Sequence, residues 1–130
     1  MIWRKKLIIG VVLFLFFNAI VFAQPHQAQI IAVATFDKTE SSQISDKAAR
    51  APYYLVFDKS GKLLEIISNP FCNDTRRAGP KVADLLASKN VSVVVAGAFG
   101  YKMAKSLEAK GIKRHEATGI VKKAVEKLLR

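Results

Sequence analysis

The chain has a single cysteine, Cys72, and only two histidines, His26 and His115. One thiol rules out an intramolecular disulfide, a CxxC redox pair and a closed cysteine-rich zinc site. Two histidines so far apart leave no HExxH metalloprotease signature, and no Ser/His/Asp order or GxxxxGK[ST] phosphate loop is present. Acidic residues are few, 10 against 21 Lys and Arg. Two-metal nuclease chemistry needs several converging carboxylates. Asp37 and Asp58 are expected at opposite edges of the sheet described below, and Asp84 on a solvent-facing helix position, so these three do not supply that set. Long hydrophobic runs are also missing, with one exception at the start.

That exception reads as an address. Arg4, Lys5 and Lys6 precede an apolar run from Leu7 to Ala23, broken at Asn18, and Val21-Phe22-Ala23 offers a small-residue exit. A basic start, apolar centre and small-residue exit are the parts of a secretory signal. Residues 1–23 are therefore expected to be a cleaved leader, and the protein to be periplasmic or extracellular. The competing reading is an uncleaved anchor over residues 7–23, at the short limit for a membrane span. Residues 24–29, with Pro25, read as a linker, and 30–130 as one domain. The leader holds three basic residues and no acidic one, so the remainder carries a net charge of +8. Such a charge points to an anionic partner: a metal cluster, a phosphate, an acidic protein or a membrane surface. Nucleic acid is disfavoured, because no aromatic-and-basic stacking platform is evident and export would part the protein from cytoplasmic nucleic acid.

Hydrophobic patterning gives the elements. Ile30–Phe36, Tyr53–Phe57, Leu63–Ser68, Ser92–Ala96 and Ile112–Glu116 read as strands, the second and third forming a hairpin around Asp58–Lys62. Lys81–Lys89, Tyr101–Lys110 and Ile120–Leu129 read as helices. Pro80 is expected as a first helical residue, Gly111 as a helix-ending glycine and Thr118 as the cap of the last helix. Asp37–Ala49 reads as a loop with one helical turn near Ile44–Ala48. Met103 and Leu107, four apart on a helix, are expected in the core. Right-handed crossovers then predict a mixed five-stranded α/β sheet of order 3-2-1-4-5, with only strand two antiparallel to the rest and helices on its faces.

In that topology the loops 37–50, 69–79, 97–100 and 115–119 gather at one sheet edge, where open α/β sheets bind ligands. The candidate residues lie in these loops. Gly97-Ala98-Phe99-Gly100 leads into a helix start, where backbone N–H groups hold anions; it reads equally as a tight turn. Arg50, Arg76 and Arg77 offer charge-assisted bonds to an anion, or form a solvated basic rim. Cys72 as thiolate suits soft metals and metal–sulfur clusters, and His115 is a second candidate ligand; the bland reading makes both ordinary residues. Lys105, Lys110, Lys122 and Lys123 read as a solvated face.

The stretches IAVAT, ARAPYYLVFD, NPF and AGPKVADLLASKNVSVVVAGAFGYKMAKSLEAKGIK resemble the dinitrogenase iron–molybdenum cofactor family, the NifX-like domain, from about Ile30 to Leu129. Ala78-Gly79-Pro80 and the VVVAG-x-x-G segment carry most of the likeness. The resemblance implies a ribonuclease-H-like three-layer fold and non-catalytic binding or carriage of an iron–molybdenum or other metal–sulfur cluster. Taken together with it, Arg50, Arg76, Gly97, Phe99, Gly100 and Lys47 are the residues expected around the cofactor, and Cys72 and His115 the candidate metal ligands. One departure stands out. Where many members have a histidine in a Ser-Glu-His-Phe-Gly-Arg-like stretch, this chain has Lys47 within Ser45-Asp46-Lys47-Ala48-Ala49-Arg50. A protonated lysine is no metal ligand but still attracts an anion. The alternative that this substitution motivates is a cofactor-free exported interaction module, binding an acidic partner or membrane surface through its basic face.

Overall fold

The computed structural model describes residues 29–130, so the leader and most of the linker lie outside the described residues. Five strands appear in the expected order: β1 (Ile30–Thr35), β2 (Tyr53–Asp58), β3 (Leu63–Ser68), β4 (Val93–Ala96) and β5 (Lys113–Glu116). They form one sheet, β3-β2-β1-β4-β5. β1 runs parallel to β4, and β4 to β5. β2 is antiparallel to both of its neighbours. Three helices are described: α1 (Ala78–Ser88), α2 (Tyr101–Ala109) and α3 (Val121–Leu128). No helix among the described residues is long and apolar enough to cross a membrane.

The side-chain alternation of the strands divides the core in two. Ala32, Ala34, Tyr54, Val56, Val94 and Ala96 meet Val82 and Leu86 of α1 and Met103 and Leu107 of α2 on one face. Ile31, Val33, Leu55, Phe57, Val93 and Val95 meet Val121 and Val125 of α3 on the other. The result is the three-layer, ribonuclease-H-like arrangement. β4 (VVVA) is buried throughout because helices cover both its faces. β5 (KRHE) is exposed throughout and closes one side of the sheet with charge.

The turns follow local chemistry. Asp58 Oδ1 accepts bonds from the Ser60 hydroxyl at 2.6 Å and from the Ser60 and Lys62 amides at 2.8 and 3.0 Å. The Ser60 hydroxyl foremost, then the Lys62 amide, holds the Asp58 carboxyl below its ordinary range. Gly111, at φ 72°, ends α2 as expected, with Ile112 N–H returning to the Leu107 carbonyl at 2.9 Å.

Three local expectations are corrected. α1 begins at Ala78, two residues before Pro80, since the whole first turn lacks intrahelical acceptors and tolerates a missing N–H. No helical turn forms at Ile44–Ala48; Ile44 makes a strand-like bridge to Thr35, and Gln43 to Ile120. Thr118 does not cap α3, which has no side-chain cap. Instead the Val121 and Lys122 amides donate to the Ser42 and Glu40 carbonyls, each at 3.0 Å.

Candidate functional site

The C-terminal tips of β1, β3, β4 and β5 and the start of β2 lie along one rim. The segment 45–51 is its centre. Gly97 N–H donates to the Ser45 carbonyl at 2.8 Å, and Ala48 N–H to the Ala98 carbonyl at 3.0 Å. On its other side, Asn69 donates to the Ala49 and Ala51 carbonyls at 3.1 and 2.9 Å while its own oxygen accepts from Phe71 N–H at 2.9 Å. From below, the buried Tyr54 hydroxyl donates to the Ala48 carbonyl, and burial pushes this phenol well above its ordinary pKa.

The loop 69–77 folds back over the start of α1. Arg50 donates from its guanidinium to the Asp74 carbonyl. The Asp74 carboxylate pairs with Lys81, in the first turn of α1, at 2.9 Å. Lys81 also lies 5.8 Å from the centre of the Phe71 ring. Cys72, half-buried and free, sits in this fold-back between Phe71 and Asp74. Arg76 and Arg77 are exposed, and Arg77 adopts the left-handed conformation that turns the chain into α1.

α1 and α2 begin side by side. A Cβ on Gly79 would fall 2.7 Å from Met103 Cβ and 3.0 Å from Met103 N, so only a glycine lets the two first turns touch. Neither start has a side-chain cap or an acidic residue in its first turn. The amides of Ala78, Gly79, Tyr101, Lys102 and Met103 have no partner among the described residues. α3 differs, its first amides being taken by the Ser42 and Glu40 carbonyls. Each free helix start carries roughly half a positive charge, so two abutting starts make a stronger anion seat than either alone. Exposed Lys102 and Tyr101 flank it.

The residues singled out in the sequence fare differently. Arg50, Lys47, Arg76, Cys72, Phe99 and Gly100 lie in the rim loops, Arg50 tied to the loop of Cys72. Gly100 leaves open space beside the α2 start, with no atom within 4 Å of an added Cβ. Phe99 packs on the core, with the Arg114 guanidinium 6.0 Å from its ring centre. Gly97 packs against distant chain: its N–H donates to the Ser45 carbonyl, and its missing Cβ admits Asp46 Cα, 2.7 Å from where that Cβ would stand. His115 does not join Cys72. β5 and the strand leading to Cys72 are opposite edges of the sheet, four strand spacings or roughly 19 Å apart. His115 also faces α3, lining a groove with Lys123 and Lys127, whereas the Cys72 loop enters α1 on the other face. Among the described residues no three His, Cys, Asp or Glu side chains gather to hold a metal ion. The sequence reading missed Asn69, Tyr54 and the Gly79–Met103 contact. Only the Ala78-Gly79-Pro80 triplet hinted at the last.

Comparison with known proteins gives concordant matches. A sequence model of the family described as dinitrogenase iron–molybdenum cofactor matches residues 29–130. Among solved structures, the chain is similar to the apo form of the orange protein from Desulfovibrio gigas, at 26% identity and TM-score 0.74, covering 81% of this chain and 90% of that one. It is also similar to a putative NifB protein from Thermotoga, at 32% identity and TM-score 0.67, covering 77% of this chain and 86% of that one. No curated protein matches the chain.

Proposed function

Because the chain belongs to the dinitrogenase iron–molybdenum cofactor family, we propose that it is a binding and carrier domain, not an enzyme, whose cargo is an anionic metal–sulfur cluster of the iron–molybdenum type. The observation that carries this reading is the pair of abutting helix starts, with their unpartnered amides and no carboxylate in either first turn. Asp74, in the loop folded over the α1 start, is matched by Lys81.

The donor set separates a cluster from a bare ion. A metal cation bound by protein alone needs several ligands, and one free cysteine does not supply them. A preassembled cluster brings its own sulfide and its own negative charge. It then needs amides and cations for its charge, with one soft sulfur to fix its orientation. Amides of the α1 and α2 starts, with Arg76, Lys47 and Lys102, would supply the first and Cys72 the second. Arg50 acts by holding the 69–77 loop through the Asp74 carbonyl. Lys47, in place of a histidine, fits a charge contact rather than a ligand. The basic, apolar, small-residue order of residues 1–23 supports delivery of this domain outside the cytoplasm.

Anaerobic reconstitution of the purified protein with iron, molybdate and sulfide tests the reading. Retained metal and visible absorption after desalting, reduced in Cys72→Ala and in Lys102→Glu, are expected. Absence of retained metal in the unaltered protein, or retention indifferent to both substitutions, overturns it.

A further inference from the structure

A second basic surface lies away from the rim seat. Between the edge strand β5 and α3 runs a groove of about 680 Å³, lined by His115, the Thr118–Gly119 turn, Lys123 and Lys127. Among the described residues the ion pairs are Lys81–Asp74, Lys89–Glu65 and Lys110–Asp84, so Lys123 and Lys127 have no acidic partner. The only carboxylate residue along the groove is Glu116, which alternates to the opposite side of the strand from His115.

The strand beside this groove has an unused hydrogen-bonding edge. Among the described residues β5 pairs with β4 alone. Lys113 N–H donates to the Ser92 carbonyl and Ala117 N–H to the Ala96 carbonyl, both at 3.0 Å. In a parallel pair, alternate residues face the neighbour. Arg114 and Glu116 therefore turn their N–H and C=O outward.

We propose that this edge and groove bind an acidic, extended polypeptide segment, which adds beside β5 as a sixth strand and places carboxylates at every second position against His115, Lys123 and Lys127. Backbone pairing with Arg114 and Glu116 sets its register. The strand repeat sends alternate side chains to the α3 face, so a Glu-x-Glu spacing fits the groove and a solid acidic run wastes half its charge. The other side of β5 carries Glu108 and Glu116 beside Arg114, where neutral residues fit better. A second copy of the chain is a poor occupant: on the α3 side its β5 would bring Lys113 and His115, not carboxylates, to the groove.

The test uses fluorescence anisotropy with a labelled peptide alternating Glu and Thr, and a control of the same composition with its glutamates contiguous, against metal-free protein. The alternating peptide is expected to bind more tightly than the control, and Lys123→Glu with Lys127→Glu to weaken it by about tenfold or more, as reversing interfacial charge does. Glu116→Pro removes an outward N–H and a repelling charge together. Strand addition predicts weaker binding to Glu116→Pro and equal or tighter binding to Glu116→Gln. Equal binding of both peptides, insensitivity to the lysine reversals, tighter binding to Glu116→Pro, or binding only to phosphatidylglycerol vesicles overturns the proposal. The rim variants Cys72→Ala and Lys102→Glu leave peptide binding unchanged, so this site and the cluster seat fail or stand separately.

Discussion

Gly79→Ala puts the helix-start seat under direct strain. Gly79 is the second residue of α1. In a free helix interior the change to alanine stabilises by about 0.8–1 kcal/mol, so propensity alone predicts a gain. The structure predicts the reverse. The new methyl would stand 2.7 Å from Met103 Cβ, 3.0 Å from Met103 N and 3.1 Å from Met103 Cα. Two of those atoms are backbone, so no rotamer change relieves the contact, and ordinary carbon contacts need about 3.5–4.0 Å. α1 and α2 must part by several tenths of an ångström or more. Overpacking of this kind costs about 1–3 kcal/mol. Set against the propensity gain, a net loss of up to about 2 kcal/mol remains, or up to several degrees in Tm for a domain of this size. Urea and thermal unfolding followed by circular dichroism measure it. A Tm raised by the full propensity gain would refute the close approach of the two helix starts.

The other glycines and the buried polar latches give sharper contrasts. Gly97→Ala should lose about 1–3 kcal/mol, because its methyl meets Asp46 Cα at 2.7 Å. Gly100→Ala, at φ −66° with open space around it, should lose under about 1 kcal/mol, and paired melts compare the two. Tyr54→Phe removes the bond to the Ala48 carbonyl and should cost about 1–2 kcal/mol at neutral pH. Burial raises the Tyr54 pKa in the folded state, so its contribution is full below the unfolded value near 10 and is lost as pH rises beyond it. Alkaline melts should show a shallower decline in Tyr54→Phe. Asn69→Asp turns an acceptor toward the Ala49 and Ala51 carbonyls. It should destabilise by about 2–4 kcal/mol at neutral pH and partly recover in acid, where protonation restores a donor; urea midpoints at two pH values check this.

The fold was legible because its signals are local and agree with one another. The VVVA run of β4, the charged KRHE of β5 and Gly111 after α2 each state their place without reference to the rest. The rim could be inferred from topology alone, and with it the neighbourhood of Arg50, Cys72 and Gly97. What each residue does there was less legible. Gly97 and Gly79 serve contacts with chain that lies 51 and 24 residues away, at Asp46 and Met103, and no local pattern reports such an approach. His115, near the end of β5, and Cys72, after β3, share a rim in the topology; face and edge, which separate them, emerge only with the full strand order and the groove against α3. Thr118 looked like a cap, yet distant carbonyls of Ser42 and Glu40 took that role.

The proposed seat of an anionic metal–sulfur group is the pair of uncapped helix starts, α1 and α2. Amide-resolved NMR during titration with tetrathiomolybdate, a diamagnetic anion of that class, tests it most directly. Saturable shifts should concentrate at Ala78, Gly79, Tyr101, Lys102 and Met103, with Cys72 beside them, and should vanish in Lys102→Glu with Cys72→Ala. Shifts confined to α3 and β5, or none at millimolar anion, would contradict the account.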